Sequence, residues 1–223
     1  MLNTEPVSYP APPARRPWDA RLARRLVAPL IQTWVTPNHL TTLRLLVGLA
    51  AAAAFVPGSY GWSNIAALLL IFSNFLDHTD GELARLSGKT SRIGHLYDLA
   101  SDAAVTVLLF VAIGVGVAAK PGTDLMVAPA ILGLVAGSAI ALIFYLRMRI
   151  EELSGKVATQ QASLGGFETE DVLYLLPLAT LSNALVPMLV AAAIFAPLYA
   201  VWVVIDYQRV LRRDRRMATG VAG

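Results

Sequence analysis

Cysteine is absent from this chain, charged residues make up only 15% of it, and histidine occurs three times. The first absence removes disulfides, thiolate metal ligands and cysteine nucleophiles, and leaves the redox compartment open. The shortage of charge, beside 56% apolar residues and a mean hydropathy of +0.59, argues against a soluble domain and for an integral membrane protein. A secretory leader is not expected. Residues 1–17 contain Pro6, Pro10, Pro12, Pro13 and Pro17, with no apolar stretch behind the positive charges. They read as a flexible tail. No solenoid repeat is visible, and no nucleic-acid partner is expected.

What is present is a set of six apolar segments, over roughly 39–57, 62–86, 92–119, 124–148, 171–185 and 187–210. The fifth is short and interrupted by Pro177, which membrane helices tolerate better than soluble ones. Before them, residues 18–36 alternate apolar residues with Arg21, Arg24 and Arg25, and carry Trp18 and Trp34. This pattern predicts an amphipathic helix lying in the membrane interface. Arginine and lysine cluster before the first segment, between the second and third, between the fourth and fifth, and after the sixth. The alternate connections are almost free of charge, so both termini are expected in the cytoplasm of a bacterial inner (cell) membrane. The expected architecture is all-α: a tail over 1–17, an interfacial helix over 18–36, a six-helix membrane domain over 37–213 and a tail over 214–223.

Within this apolar chain lies a dense acidic pattern: Asp77-x-x-Asp80-Gly81-x-x-Ala84-Arg85, then eight residues, then Gly94-x-x-x-Asp98-x-x-x-Asp102. Residues three or four apart share a helix face, so each half forms a stripe. Four carboxylates near hydrocarbon repel one another, and each costs about 2.5–3.5 kcal/mol at a helix centre unless cations neutralise it. An all-oxygen cluster suits Mg²⁺ or Mn²⁺. Both stripes fall toward the cytoplasmic ends of their helices, at lipid headgroup depth.

These eight fixed residues over 26 positions reproduce the signature of the CDP-alcohol phosphotransferase (CDP-alcohol phosphatidyltransferase) family, which the chain resembles in hydrophobic layout as well. The resemblance implies transfer of a substituted phosphate from a CDP-linked lipid, usually CDP-diacylglycerol, to an alcohol, with release of CMP. A diphosphate is repelled by carboxylates, so two bridging ions, typically ~3.5–4 Å apart, are expected. Asp77, Asp80, Asp98 and Asp102 are the expected ligands, with Asp102 also taking the proton of the acceptor hydroxyl. Gly81 and Ala84 are small where nucleotide is to sit, Arg85 is set to contact phosphate, and Ser91 matches a family position that contacts the donor. Asn38 and Thr41, in Thr36-Pro37-Asn38-His39-Leu40-Thr41-Thr42, resemble a donor-binding element, although Thr36 and Pro37 read equally as a helix start. Family members are usually homodimers.

Other residues support less specific readings. Arg44, one turn into the first span, needs a phosphate or carboxylate partner at that depth. Arg147 and Arg149 suit the phosphate of an acceptor such as inositol phosphate or glycerol phosphate, or serve simply as topology markers. They are two residues apart, so at most one is expected to point into the site. Glu168 can bind acceptor hydroxyls or favour a helix N-terminus. A neutral alcohol acceptor is the alternative within the same chemistry. His78 and His95 lack the company of a zinc site, Asp206 has Arg209 one turn away, and Gly88-Lys89-Thr90 lacks the strand and spacing of a phosphate-binding loop. Gly133-x-x-x-Gly137 predicts a close helix contact. The rival class, a divalent-cation transporter, accounts for buried acids but not for Gly, Ala and Arg at fixed offsets.

Overall fold

The computed structural model describes residues 24–89, 91–154 and 176–220, and these contain helices and turns but no strand. Among the described residues from 37 onward, six α-helices follow one another: α1 Pro37–Phe55, α2 Tyr60–Ser87, α3 Arg92–Ala118, α4 Pro129–Ser154, α5 Leu176–Leu181 and α6 Leu185–Gly220. Ahead of α1, residues 24–27 are helical and lead into a 3-10 turn at Ala28–Leu30. The tail over 1–17 and the first part of the expected interfacial helix lie outside the described residues. Of its second part, 31–34 form a turn rather than helix.

The helix boundaries have local causes. Thr36 is the N-cap of α1, Pro37 takes its first position, and the Thr36 amide donates to His39 Nδ1 at 3.1 Å. Gly88 ends α2 in the left-handed region (φ 66°), returning its amide to the Ala84 carbonyl at 3.1 Å. Ser91 caps α3 by accepting from the Gly94 amide at 2.9 Å. Lys89, between them, donates to the carbonyls of Thr33 and Val35 at 2.8 and 3.3 Å, tying the α2–α3 turn to the entry of α1. α4 starts at Pro129, later than the expected 124, after a turn through Gly122 (φ 77°). α6 runs to Gly220, past the expected end near 210, because the arginine-rich stretch that follows the apolar run stays helical. The expected boundary between membrane domain and C-terminal tail, at 213/214, therefore falls inside a helix.

Among the described residues, four helices (α1, α3, α4 and α6) are long and apolar enough to cross a membrane. α2 has 28 residues, but Asn64, Asn74, His78 and the acids dilute its apolar character. Helix α3 packs on α1 and α4, α1 on α2, α4 on α6, and α5 against α2. Ala51, Phe55, Ala66, Leu70, Leu109, Ile113 and Leu189 bury one core between them, and Ile143, Leu146, Ile150 and Val203 a second between α4 and α6. The α3–α4 contact is made at backbone distance. A Cβ at Gly133 would strike the Phe110 carbonyl, and one at Gly137 would lie 2.9 Å from the Val107 Cα. Gly133 and Gly137 thus form a contact within the chain, as small residues do where helices must approach closely without a hydrophobic driving force.

Candidate metal centre

The C-terminal half of α2 and the first turns of α3 each pass the N-terminal half of α1, which packs on both helices. Asp77, Asp98 and Asp102 each present a carboxylate oxygen within 4.8 Å of the others. The i, i+4 spacing puts Asp98 and Asp102 on one face of α3, and α2 brings Asp77 to it. Their side chains remain 35–47% exposed, Asp102 the most. Among them lies the guanidinium of Arg44, itself only 3% exposed. It pairs with Asp77, with Asp98 Oδ1 at 2.8 Å and with Asp102 Oδ1 at 2.8 Å, and also donates to the Asp98 carbonyl at 3.3 Å. A cation thus already sits against all three carboxylates, a sign that the donor set gathers positive charge. Three hard oxygen donors, in a chain without thiolates, fit a divalent ion such as Mg²⁺ or Mn²⁺.

The fourth motif acid is placed differently. Asp80 is 5% exposed and accepts a hydrogen bond from Thr41 Oγ1 at 2.9 Å, outside the group of three. Thr41, expected to approach nucleotide, holds a motif aspartate in this structure. Asn38 is exposed at the start of α1, and its Oδ1 lies 2.7 Å from where a Gly94 Cβ would stand. The motif glycine Gly94 is thus explained by the close passage of α1 and α3. Gly81 has a different surrounding: the nearest atoms to a Cβ there belong to the Arg85 guanidinium, 3.6 Å or more away. A Cβ at 81 would make only ordinary contact with that flexible side chain, so glycine there does not relieve a helix–helix clash. Ala84 is half-buried, while Arg85 is exposed and bonded to the buried Glu82 at 2.9 Å. Ser91 caps α3 as described.

A cavity of about 520 Å³ adjoins the carboxylates, between α2, α3 and α4. Arg44, Asp77 and Asp102 line it at one side, with Asn74 and His78, and Leu70, Leu109 and Phe144 line its apolar depth. Ala141, Phe144, Tyr145 and Met148 are the α4 face toward it. Arg149 continues that stripe one turn beyond Tyr145. It bonds Glu152 at 2.5 Å, and Glu152 also meets His95 at 3.6 Å. Arg147 faces α6: it lies 2.5 Å from the Tyr199 hydroxyl and over the rings of Tyr199 and Trp202, at 5.8 and 5.6 Å. Arg149 also hydrogen-bonds the Tyr207 hydroxyl of α6, so both arginines meet α6 through intrachain partners and neither is among the residues lining the cavity. Glu168 lies outside the described residues.

Several participants were not picked out from sequence. Asn74 carried a signal, being polar and one turn before Asp77 on an apolar helix. Glu82 did too, as a buried acid three residues from Arg85. Tyr199, Trp202 and Glu152 gave none beyond their i, i+3 spacings, because what they touch is set by helix packing.

Among curated proteins, phosphatidylinositol phosphate synthase from Streptomyces avermitilis is 29% identical over 144 residues, 64% of this chain and 57% of that protein. Cholinephosphotransferase 1 from Danio rerio is 38% identical over 92 residues, 38% of this chain and 24% of that protein. CDP-diacylglycerol–glycerol-3-phosphate 3-phosphatidyltransferase from Cereibacter sphaeroides is 38% identical over 81 residues, 36% of this chain and 37% of that protein. The matched stretch therefore spans from about a quarter to somewhat over half the length of these relatives. The structure of Mycobacterium tuberculosis phosphatidylinositol phosphate synthase with CDP-DAG bound superposes with a TM-score of 0.56 at 22% identity, covering 87% of this chain and 94% of that one. At that identity the likeness establishes the fold, and it shares the arrangement of helices described above. The family model for CDP-alcohol phosphatidyltransferase matches residues 34–207, and this chain belongs to that family.

Proposed function

We propose that the protein transfers a substituted phosphate from a CDP-linked lipid, CDP-diacylglycerol in the first instance, to an alcohol, releasing CMP. The observation that carries this reading is the meeting of Asp77, Asp98 and Asp102 at the side of an apolar cavity. A lipid donor has both parts, a diphosphate that needs cations and chains that need an apolar surface. Asp77, Asp98 and Asp102 would hold a divalent ion, and Asp80, one turn from Asp77, would serve a second. Bound there, such ions supply positive charge against the donor diphosphate and the departing CMP.

The remaining work falls to side chains. Asp102 is the most exposed of the three and lines the cavity, so it is our candidate for accepting the acceptor hydroxyl's proton, worth typically 10²–10⁴-fold in rate. The open face at Gly81 and Ala84 suits nucleotide, Arg85 suits phosphate, and Asn38, Thr41 and Ser91 border that region. For the acceptor we favour a phosphorylated polyol, inositol phosphate or glycerol phosphate. Arg149 stands one helical turn beyond the cavity-lining Tyr145, and Arg147 has a buried Nε without a hydrogen-bond partner among the described residues. The names of the relatives divide between different acceptors, so this assignment rests on the arginines; Glu168 completes it as a candidate.

Purified protein given Mg²⁺, CDP-diacylglycerol and a panel of alcohols should release CMP and form a new lipid, with activity lost in EDTA and restored by Mg²⁺ or Mn²⁺. Turnover in metal-free buffer, or no CMP release with any acceptor, would overturn the proposal. The same reading includes a homodimer with six membrane crossings, α2 being about 42 Å long, and both termini and the site in the cytoplasm. The cysteine-free background makes topology testable. An impermeant thiol reagent on intact cells should label Ser59→Cys but reach Arg92→Cys only after lysis; the reverse pattern would invert the orientation.

A further inference from the structure

We infer that Arg44 is a built-in counter-cation that keeps divalent ions weakly bound until the anionic donor arrives. This rests on the metal reading of Asp77, Asp98 and Asp102, and it concerns a residue outside the acidic signature. The three carboxylates meet one guanidinium, which reaches them from the α1 side and is almost wholly buried, while each acid keeps a partly exposed flank. The bonds to Asp98 and Asp102 use the Oδ1 atoms, as does the contact with Asp77.

Two effects on an incoming ion oppose each other. Arg44 fixes the three carboxylates in one place, which favours binding by removing the entropy of ordering three short side chains. It also occupies lone pairs that an ion would use, and its fixed charge repels a divalent ion with twice the force of an ordinary like-charge pair. Aspartate has few rotamers to lose, and a buried guanidinium on a helix cannot withdraw far, so repulsion is the larger effect. A diphosphate reverses the balance, because its negative charge offsets Arg44 and bridges to the ion. Arg44 thereby couples the two ligands: metal is held firmly only together with donor, and donor only together with metal. The coupling is reciprocal by thermodynamic necessity.

The test is Mn²⁺ binding, read from the electron paramagnetic resonance of free Mn²⁺ over detergent-solubilised protein, with and without CDP-diacylglycerol. In the wild type, donor should tighten Mn²⁺ by tenfold or more. Arg44→Gln should bind Mn²⁺ at least tenfold more tightly than wild type when donor is absent, and the donor's effect on it should shrink. Arg44→Lys, whose single nitrogen cannot bridge three carboxylates, should move the same way by a smaller factor, and it serves alone if the glutamine variant does not fold. Unchanged or weaker donor-free Mn²⁺ binding in the folded variant overturns the inference. If the wild type binds no Mn²⁺ even with donor, the metal reading itself falls.

Discussion

Thr41→Val removes one hydroxyl and keeps the side-chain shape, which isolates a single interaction. Thr41 Oγ1 lies 2.9 Å from Asp80 Oδ2 and 3.3 Å from the Pro37 carbonyl, so its one proton serves the carboxylate better. Asp80 is 5% exposed, and water cannot readily replace the lost donor. A hydrogen bond to a charged group contributes about 1.5–3 kcal/mol, a change of roughly ten- to 150-fold in the folding equilibrium. Equilibrium unfolding in mixed micelles with increasing SDS, followed by tryptophan fluorescence, would measure it. Thr41→Ser should restore most of the loss. A double-mutant cycle with Asp80→Ala should show strong non-additivity, because either change alone removes one partner of the same contact. If Thr41→Val unfolds with the wild type, or the two changes simply add, the hydroxyl is not what holds Asp80, and Thr41 is left for the donor alone.

Other expected outcomes follow from the same geometry. Asp102→Asn should lower the turnover rate by at least ~10²-fold while leaving donor binding measurable; near-normal turnover at saturating substrates would remove its role as base. Gly94→Ala puts a methyl group 2.7 Å from the Asn38 amide oxygen, so Asn38 must move and the donor's KM should rise severalfold, whereas an unchanged KM would show that Asn38 does not touch donor. Arg149→Gln should raise the KM of a phosphorylated acceptor by roughly ten- to a hundredfold, with Arg147→Gln acting less on KM and more on stability through α6. Equal indifference of both variants to the acceptor's phosphate would return the arginines to the role of topology markers.

Hydropathy and spacing made much of this legible. Apolar runs located the starts of four membrane-length helices to within about five residues, since burial in hydrocarbon leaves a continuous signal. The end of α6 was missed by ten because its arginine-rich continuation is not apolar. The i, i+4 rule put Asp98 and Asp102 on one face, and the helix start at Thr36-Pro37 followed from capping chemistry alone. What stayed hidden depends on contacts between helices. That Arg44 required an anion was readable from its depth; that it meets three aspartates from two other helices was not. Asp80 looked equivalent to Asp77, yet helix α1 brings a threonine to one and an arginine to the other. The pairing of Arg147 with Tyr199 and Trp202 joins residues about fifty positions apart. Local periodicity carries no information about such pairs.

The glycine seam between α3 and α4 has a mechanical meaning. Its contacts at Gly133 and Gly137 leave no slack, and the cavity begins where the seam ends, at Thr106, which meets Gly137, and at Ala141, one turn further along α4. From Gly137 to Met148 the α4 axis runs on for about 16 Å. The same stretch of α4 shares the core of Ile143, Leu146 and Ile150 with Val203 of α6. A tilt of about 5° at the seam, which would carry Met148 sideways by roughly 1.4 Å over that length, therefore also has to shift that core. That displacement is close to the radius of a water molecule. The seam at Gly133 and Gly137 and the α4–α6 core together hold the α4 wall of the chamber beside the aspartates.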